Sequence, residues 1–303
     1  MEILGILGLP SWDSFQPFIA TGLALGGVYA LSGVGMVVLY QTTGVLNLAF
    51  GAIGAMGALI AWELVNNAGV PEGFAYLACV LFGGAVTLLY GIVFGGPLAG
   101  RDPLVKATAT LGLLLILLGA MSWIWSDKAR SLTLPTSTPA FDVGQVTVNW
   151  TQVIALGLGV AVTFGTLAFL RFTNLGTAMR ALANDREIAA TLGVPVRRVE
   201  AQAWLVSGLL SGAAGLLLSN LVGLDAATLT FLVISSLSAA LIARLRSLPV
   251  TFFAALVVGV VTALITPIFE ISEYRQMTPF VLAVIALLWL SRRRQVTIPG
   301  TAG

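Results

Sequence analysis

The sequence predicts an all-α, polytopic membrane helix bundle of eight to nine transmembrane spans, and three observations carry that prediction. Hydrophobic residues make up 58% of the 303 residues and charged residues only 9%, with a mean hydropathy of +0.98, whereas a water-facing domain carries about 25% charge. The apolar residues fall into runs long enough to cross a hydrocarbon core of about 30 Å, which takes about 20 residues. The few charges gather at the ends of those runs. Such a chain has to meet a solvent as apolar as its own interior, so membrane lipid is its first partner.

The first run, 17–40, is long enough to span. The second, 48–66, carries Gly51, Gly54 and Gly57 and reads as a broken or re-entrant segment, tolerated at membrane depth only where protein or a water-filled cavity satisfies its backbone. Runs 73–97 and 103–126 follow. The connection 127–149 is polar, with Pro135, Pro139 and β-branched neighbours, which predicts an ordered extended loop or small hairpin. Run 150–170 leads into a second long connection, 171–199, and then come 201–224, 226–243, 249–269 and the short 277–291. Nine crossings is the first reading; eight, with 48–66 re-entrant, is its rival. The N-terminal MEILGILGLPSWD has no basic residue ahead of its apolar stretch and no small-residue cleavage pattern, so it is expected to be retained.

Nine crossings put the two termini on opposite sides, and the bias of basic residues toward the cytoplasm places the N-terminus outside. Arg101, Lys106, Arg171, Arg180, Arg186, Arg197, Arg198, Arg244, Arg246, Arg292, Arg293 and Arg294 then lie inside, leaving only Lys128, Arg130 and Arg275 outside. The acids lean the other way, with only Asp102, Asp185, Glu187 and Glu200 inside. On this reading 1–303 is one transmembrane domain, 127–149 an outer loop and 171–199 a cytoplasmic loop.

Several chemistries are excluded or disfavoured. Histidine is absent, which removes the commonest general base and metal ligand. The lone Cys79 sits in an apolar run, where it reads as a small buried hydrophobe; it supplies neither a disulfide nor a zinc site. No ionisable residue lies deep in a span, Glu63 being near an end, so proton coupling is disfavoured. Gly95, Gly96 and Gly100 have the spacing of a phosphate loop, but Arg101 and Asp102 stand where Lys and Ser or Thr are required. No catalytic residue, metal site or cofactor is expected. The basic residues form no stripe, so nucleic acid is an unsuitable partner.

The loop 171–199 carries the sharpest local signal. Residues 177–183 are good helix formers after Thr177, a candidate cap, and Asn184 or Asp185 can cap a second short helix running to Leu192. Gly193 stands where a helix end favours positive φ, and Pro195 blocks continuation. A compact helical knob results. Its arginines have a plain alternative role as topogenic charges touching anionic headgroups; the competing reading is docking into a cleft of a cytoplasmic protein, with Ala181, Ala189, Ala190 and Gly193 permitting close approach and Arg180, Asp185 and Glu187 supplying charged contacts.

The transport pathway is expected where polar groups and a helix break coincide. Tyr40, Gln41, Thr42, Thr43, Gly44 and Asn47 separate the first two runs, and the Gly-rich helix beginning near Gly51 could present its N-terminus to a carboxylate. An ordinary inner loop is the alternative there. Tyr29, Ser32, Ser207, Ser211, Asn220, Ser235, Ser236 and Ser238 are further candidates, each also suited to a helix-packing hydrogen bond. Gly22 with Gly26, and Gly208 with Gly212, form small-xxx-small pairs that indicate close helix contact.

Residues 176–218, GTAMRALANDREIAATLGVPVRRVEAQAWLVSGLLSGAAGLLL, resemble the signature of the branched-chain amino acid ABC transporter permeases, a family with urea and amide permease relatives. Glu187, Ala189, Ala190 and Gly193 follow the Glu-Ala-Ala…Gly spacing by which importer permeases engage their ATPases, with Ile188 interrupting the Glu-Ala pair. Residues 22–62 are similar to a second family segment, whose loop reads Gly-hydrophobic-hydrophobic-Asn-Phe-Ala-His-Gly. Gly44, Val45, Leu46, Asn47, Ala49 and Gly51 follow it, while Leu48 replaces the Phe and Phe50 the His. Residues 229–249 resemble the family's late helix and inner turn.

The resemblance covers nearly the whole chain and is to the first of the two permease types in such systems. It implies a non-enzymatic permease subunit of a bacterial plasma-membrane importer, with ATP hydrolysed by separate ATPase subunits. It further implies an extracytoplasmic binding protein and a second permease subunit, favouring a heterodimer over a second copy. Coupling is expected through Gly176, Met179, Arg180, Ala181, Asp185, Glu187, Ala189, Ala190 and Gly193. Tyr29, Gln41, Thr42, Asn47, Phe50, Gly51 and Gly54 are expected along the substrate path. Branched-chain or other hydrophobic amino acids are the implied cargo, with urea, amides and organic acids open. The alternative function is a self-sufficient channel or facilitator for urea or a similar small polar solute, which would need no docking knob.

Overall fold

A computed structural model describes residues 12–126, 130–137, 140–143, 146–231, 233–267 and 277–292. Among these, helices α1 (Trp12–Thr43), α2 (Phe50–Asn66), α3 (Glu72–Leu98), α4 (Pro103–Trp125), α5 (Trp150–Phe172), α6 (Asn174–Asn184), α7 (Arg186–Thr191), α8 (Val196–Val222), α9 (Ala226–Phe231), α10 (Val233–Ile242), α11 (Leu248–Ile265) and α12 (Thr278–Arg292) follow in order. Six of them, α1, α3, α4, α5, α8 and α11, are long and apolar enough to cross a membrane, and shorter apolar helices occupy Phe50–Asn66, Ala226–Ile242 and Thr278–Leu288. The sequence-predicted positions of Lys128, Pro139, Glu270 to Arg275, Arg293, Arg294 and the first eleven residues lie outside the described chain.

The expected extended loop contains an antiparallel hairpin, β1 (Ala140–Val143) paired with β2 (Val146–Asn149) in the register Ala140↔Asn149. Asn149 then starts α5 with a reciprocal cap: its side-chain oxygen accepts the Gln152 N–H at 2.9 Å, and the Gln152 side chain accepts the Asn149 N–H at 3.3 Å. Two of the N-terminal donors that a helix leaves unpaired are thereby satisfied. Since α5 runs from the hairpin to the 171–199 knob, these two features mark opposite ends of the bundle.

Helix α1 is the axis. Its apolar window is 89% buried, and it packs on α11, α5 and α8, while α8 also packs on α3 and α2. The anticipated glycine pairs set these distances. A Cβ on Gly26 would stand 2.7 Å from the Leu256 Cα, and one on Gly212 would stand 2.6 Å from the Cys79 carbonyl oxygen. Small residues let helices approach closely where lipid offers no hydrophobic drive for association. Cys79 is buried at that seam, its thiol donating to the Gly212 carbonyl at 3.3 Å. The outer ring exposes large apolar side chains such as Leu89, Ile116, Trp123, Phe164, Phe253 and Ile285, the inverse of a water-soluble surface and the pattern a hydrocarbon solvent requires.

Candidate functional site

The break between α1 and α2 is a buried, non-helical strap, residues 44–49, whose backbone is satisfied from side chains. Thr110 of α4 donates to the Leu46 carbonyl at 2.9 Å and accepts the Leu48 N–H at 3.1 Å. Thr43 accepts the Val45 N–H and Asn47 accepts the Ala49 N–H, each at 3.1 Å. Irregular backbone at membrane depth requires this kind of accounting. Helix α2 then has only 17 residues, about 25 Å at 1.5 Å per residue.

The sequence-predicted pathway residues separate into two groups. Gln41, Thr42 and Asn47 lie at the knob end. Gln41 donates to the carbonyls of Leu245 and Arg246 at 3.1 and 2.8 Å, tying α1 to the α10–α11 turn, where Arg244 and Leu245 both have φ of 55°. Thr42 donates to the Val38 carbonyl. Asn47 is 1% exposed, and its amide nitrogen has no hydrogen-bond partner among the described residues.

Tyr29, Phe50, Gly51 and Gly54 belong to the other group, around two neighbouring spaces of the interior. In the hairpin-end half, a cavity of about 740 Å³ is lined by Phe18, Thr21, Leu25 and Tyr29 of α1 and by Ile234, Ser235, Thr262 and Phe280, among others. Among the described residues its lining holds hydroxyls and apolar groups and no charged side chain. One helical turn further along α1, a space of only about 10 Å³ lies between Ser32, Phe50, Gly51, Gly54, Ser211 and Ser236. The Ser211 hydroxyl donates to the Phe50 carbonyl at 2.6 Å, while the Ser236 hydroxyl is buried without a partner among the described residues.

Gly54 also has a packing duty. A Cβ there would stand 2.6 Å from the Ser211 carbonyl oxygen, so a leucine at this position would force α2 off α8.

At the knob, the first cap is Thr173 and not Thr177. The Thr173 hydroxyl accepts the Gly176 N–H at 2.9 Å, and α6 therefore starts at Asn174. Asp185 caps α7, accepting the Glu187 and Ile188 N–H groups at 2.9 Å each. Gly193 ends it with φ of +87°. Met179, Leu182 and Ala189 are buried and Ala181 half-buried, while Arg180, Glu187 and Ala190 are exposed. Gly176 lies against the end of α5, where a Cβ would stand 2.5 Å from the Leu170 Cα.

Two features of the knob escaped sequence reading. Arg186 forms a bidentate pair with Glu200 of α8, at 2.9 and 3.3 Å, anchoring α7 to the bundle; a planar guanidinium on a carboxylate holds orientation as well as distance. Ile188 and Leu192 are 59% and 78% exposed, an apolar patch on an otherwise charged end. Ile188 was legible only as an interruption of the Glu-Ala pair.

Residues 18–287 match the family described as "Branched-chain amino acid transport system / permease component". Among relatives, the chain is 24% identical over 296 residues to the high-affinity branched-chain amino acid transport system permease protein BraD of Pseudomonas aeruginosa, covering 93% of this chain and 95% of that one. It is 25% identical to the corresponding protein LivH of Escherichia coli, covering 88% and 91%. A probable branched-chain amino acid transport permease protein LivH of Methanocaldococcus jannaschii is 27% identical, covering 78% and 76%.

Proposed function

The chain belongs to the branched-chain amino acid transport permease family, and from that premise we propose that it forms one half of the translocation path of an ATP-driven importer, carrying branched-chain or other hydrophobic amino acids by alternating access. The observation that carries this reading is the cavity of about 740 Å³, whose described lining is uncharged, with the small serine-lined space about one helical turn away along α1. Apolar walls suit an aliphatic side chain, and a few convergent hydroxyls, those of Thr21, Tyr29, Ser235 and Thr262, suit its polar head. The bond chemistry belongs to separate cytoplasmic ATPase subunits engaged through the knob. A second permease subunit, a paralogue in a heterodimer, and an extracytoplasmic binding protein complete the machine.

The hydroxyls and apolar groups of the described lining also fit a second reading, a facilitator for a neutral solute such as urea. ATP dependence separates them. In proteoliposomes holding the complete complex, radiolabelled leucine is expected to accumulate only with ATP inside and binding protein outside. Nucleotide-independent uptake by this chain alone would overturn the importer reading.

Nine spans with the N-terminus outside is the proposed topology. Its support is the charge asymmetry together with helix directions. Gly54 meets Gly215 while Phe50 meets Ser211, so α2 runs parallel to α8; Cys79 meets Gly212 while Gly91 meets Trp204, so α3 runs antiparallel to α8. Successive reversal at α2 and α3 is what a crossing α2 requires and a re-entrant one does not supply. In a background where Cys79 is replaced by Ala, Ser137→Cys is expected to react with an impermeant maleimide from outside and Thr191→Cys only from the cytoplasm. Labelling of both from one side would sink the topology.

A further inference from the structure

We infer that the ring of Ser32, Ser211 and Ser236 is a closed internal gate and that Phe50 is the residue that seals it. The inference rests on the transport reading above and assigns a residue to the step that keeps the path shut.

The two neighbouring interior spaces differ sharply in size. Tyr29 lines the large cavity and Ser32, one turn on, lines the small one; Ser235 and Ser236 divide in the same way on α10. The narrower space, about 10 Å³, is close to the least volume that holds a single water, so an amino acid cannot pass it in this conformation. On the knob side the space is bounded by the Phe50 ring, which is 2% exposed. The ring seats on α1 at Gly35, where a Cβ would stand 3.0 Å from its edge. A side chain there would press on the ring, which would have to give by a few tenths of an ångström.

The position suits a moving part. Phe50 is the first residue of α2, and the strap before it is held by the Thr43, Asn47 and Thr110 side chains in place of a helical ladder. Those bonds can exchange without unwinding α2, and the hinge positions of gated proteins are of this kind, loop or element-terminal residues that absorb the backbone change. The strap is the direct continuation of α1, whose knob-end residues Val37 and Val38 share a core with Met179 and Leu182 under the knob. A displacement of the knob therefore has a short, packed route to Phe50. The buried Ser236 hydroxyl, without a partner in the closed ring, supplies a polar contact for a group in transit; leaving such a hydroxyl unpaired costs stability that a merely structural position would avoid.

The test uses the complete complex in proteoliposomes, on the Cys79→Ala background, with Phe50→Ala and with Ser236→Cys as reporter. Passive leucine flux without nucleotide is expected to rise at least about tenfold in Phe50→Ala, and alkylation of Ser236→Cys by an impermeant reagent from the knob side to accelerate by a similar factor, as a shift of that size in the open population would give. Phe50→Leu, which retains apolar bulk, is expected to fall between the two. Phe50→Leu is read in place of Phe50→Ala should that variant fail to assemble. An assembled Phe50→Ala complex, or in its absence an assembled Phe50→Leu complex, with wild-type passive flux and wild-type labelling would overturn the gate. Failure of wild-type ATP-driven uptake would instead strike the transport reading, since the labelling contrast does not depend on which solute is carried.

Discussion

Replacing Gly208 by leucine is expected to abolish recovery of the folded protein from membranes. A Cβ at that position falls onto the Thr87 hydroxyl and the Gly83 carbonyl. The Thr87 hydroxyl is held in place by bonds to the Gly83 and Gly84 carbonyls at 2.9 and 3.1 Å, and the other obstacle is backbone, so neither can turn aside. Overpacking a core costs typically about 1–3 kcal/mol and more where nothing relaxes, against a total stability of only about 5–15 kcal/mol for a typical protein. Because α8 touches α1, α2 and α3, forcing α3 away also loosens the other two contacts. Gly119→Leu is the matched control: Gly119 is exposed on α4, with nothing within 4 Å of an added Cβ. Size-exclusion profiles and melting temperatures of the two detergent-solubilised variants provide the comparison. A monodisperse Gly208→Leu protein melting like the control would show that the α3–α8 seam is not the constraint described.

The positions of the helices were legible because each needs an uninterrupted apolar run, and composition alone states that requirement. The knob was legible for a different reason: Asp185, Gly193 and Pro195 are stop and start signals that act within one turn, and local signals survive in a linear reading. What a linear reading does not carry is contact with a distant partner. Thr173 and Thr177 are equally good caps as residue types; the choice falls on Thr173 because its backbone is extended, with φ −108° and ψ 152°, where α5 ends. Gln41 read as a pathway group, and only the fold shows that its amide also binds carbonyls 204 and 205 residues away. Gly54 read as a lining residue because small residues suit both an open path and a tight helix contact, and only the position of Gly215 reveals the second. The Arg186–Glu200 pair, separated by 14 residues, has no periodic signature at all.

Ala190→Trp is expected to eliminate copurification of the ATPase partner while leaving the permease folded. Ala190 is exposed beside the buried Ala189, so the added indole projects from the knob without disturbing its base, and any loss of binding reports on the docking surface. That surface has the composition of an interface core. Ile188 and Leu192, 59% and 78% exposed in the isolated chain, would each contribute about 1.5–3 kcal/mol if fully buried against a partner, and Ile188→Asp should therefore weaken docking nearly as much as the tryptophan. Arg180, exposed with a single contact at 3.4 Å to Thr177, is free to meet a partner's acceptors; Arg180→Ala would leave those acceptors unpaired at a cost of roughly 1–3 kcal/mol, about a tenfold to hundredfold loss in affinity. Glu200→Gln acts differently, since it removes the charge that holds Arg186 and frees α7 to tilt. ATPase binding should then persist in part while uptake per ATP hydrolysed falls, the signature of a contact that still forms but no longer transmits. A knob that merely touches anionic headgroups predicts the opposite ordering, in which lost positive charge matters and added bulk at Ala190 does not. The decisive measurement is therefore the pair of yields, ATPase recovered and substrate transported, for a correctly inserted Ala190→Trp permease: normal values for both would reject 176–193 as the coupling element, because no cleft that accepts this knob closely has room for an indole on its outer face.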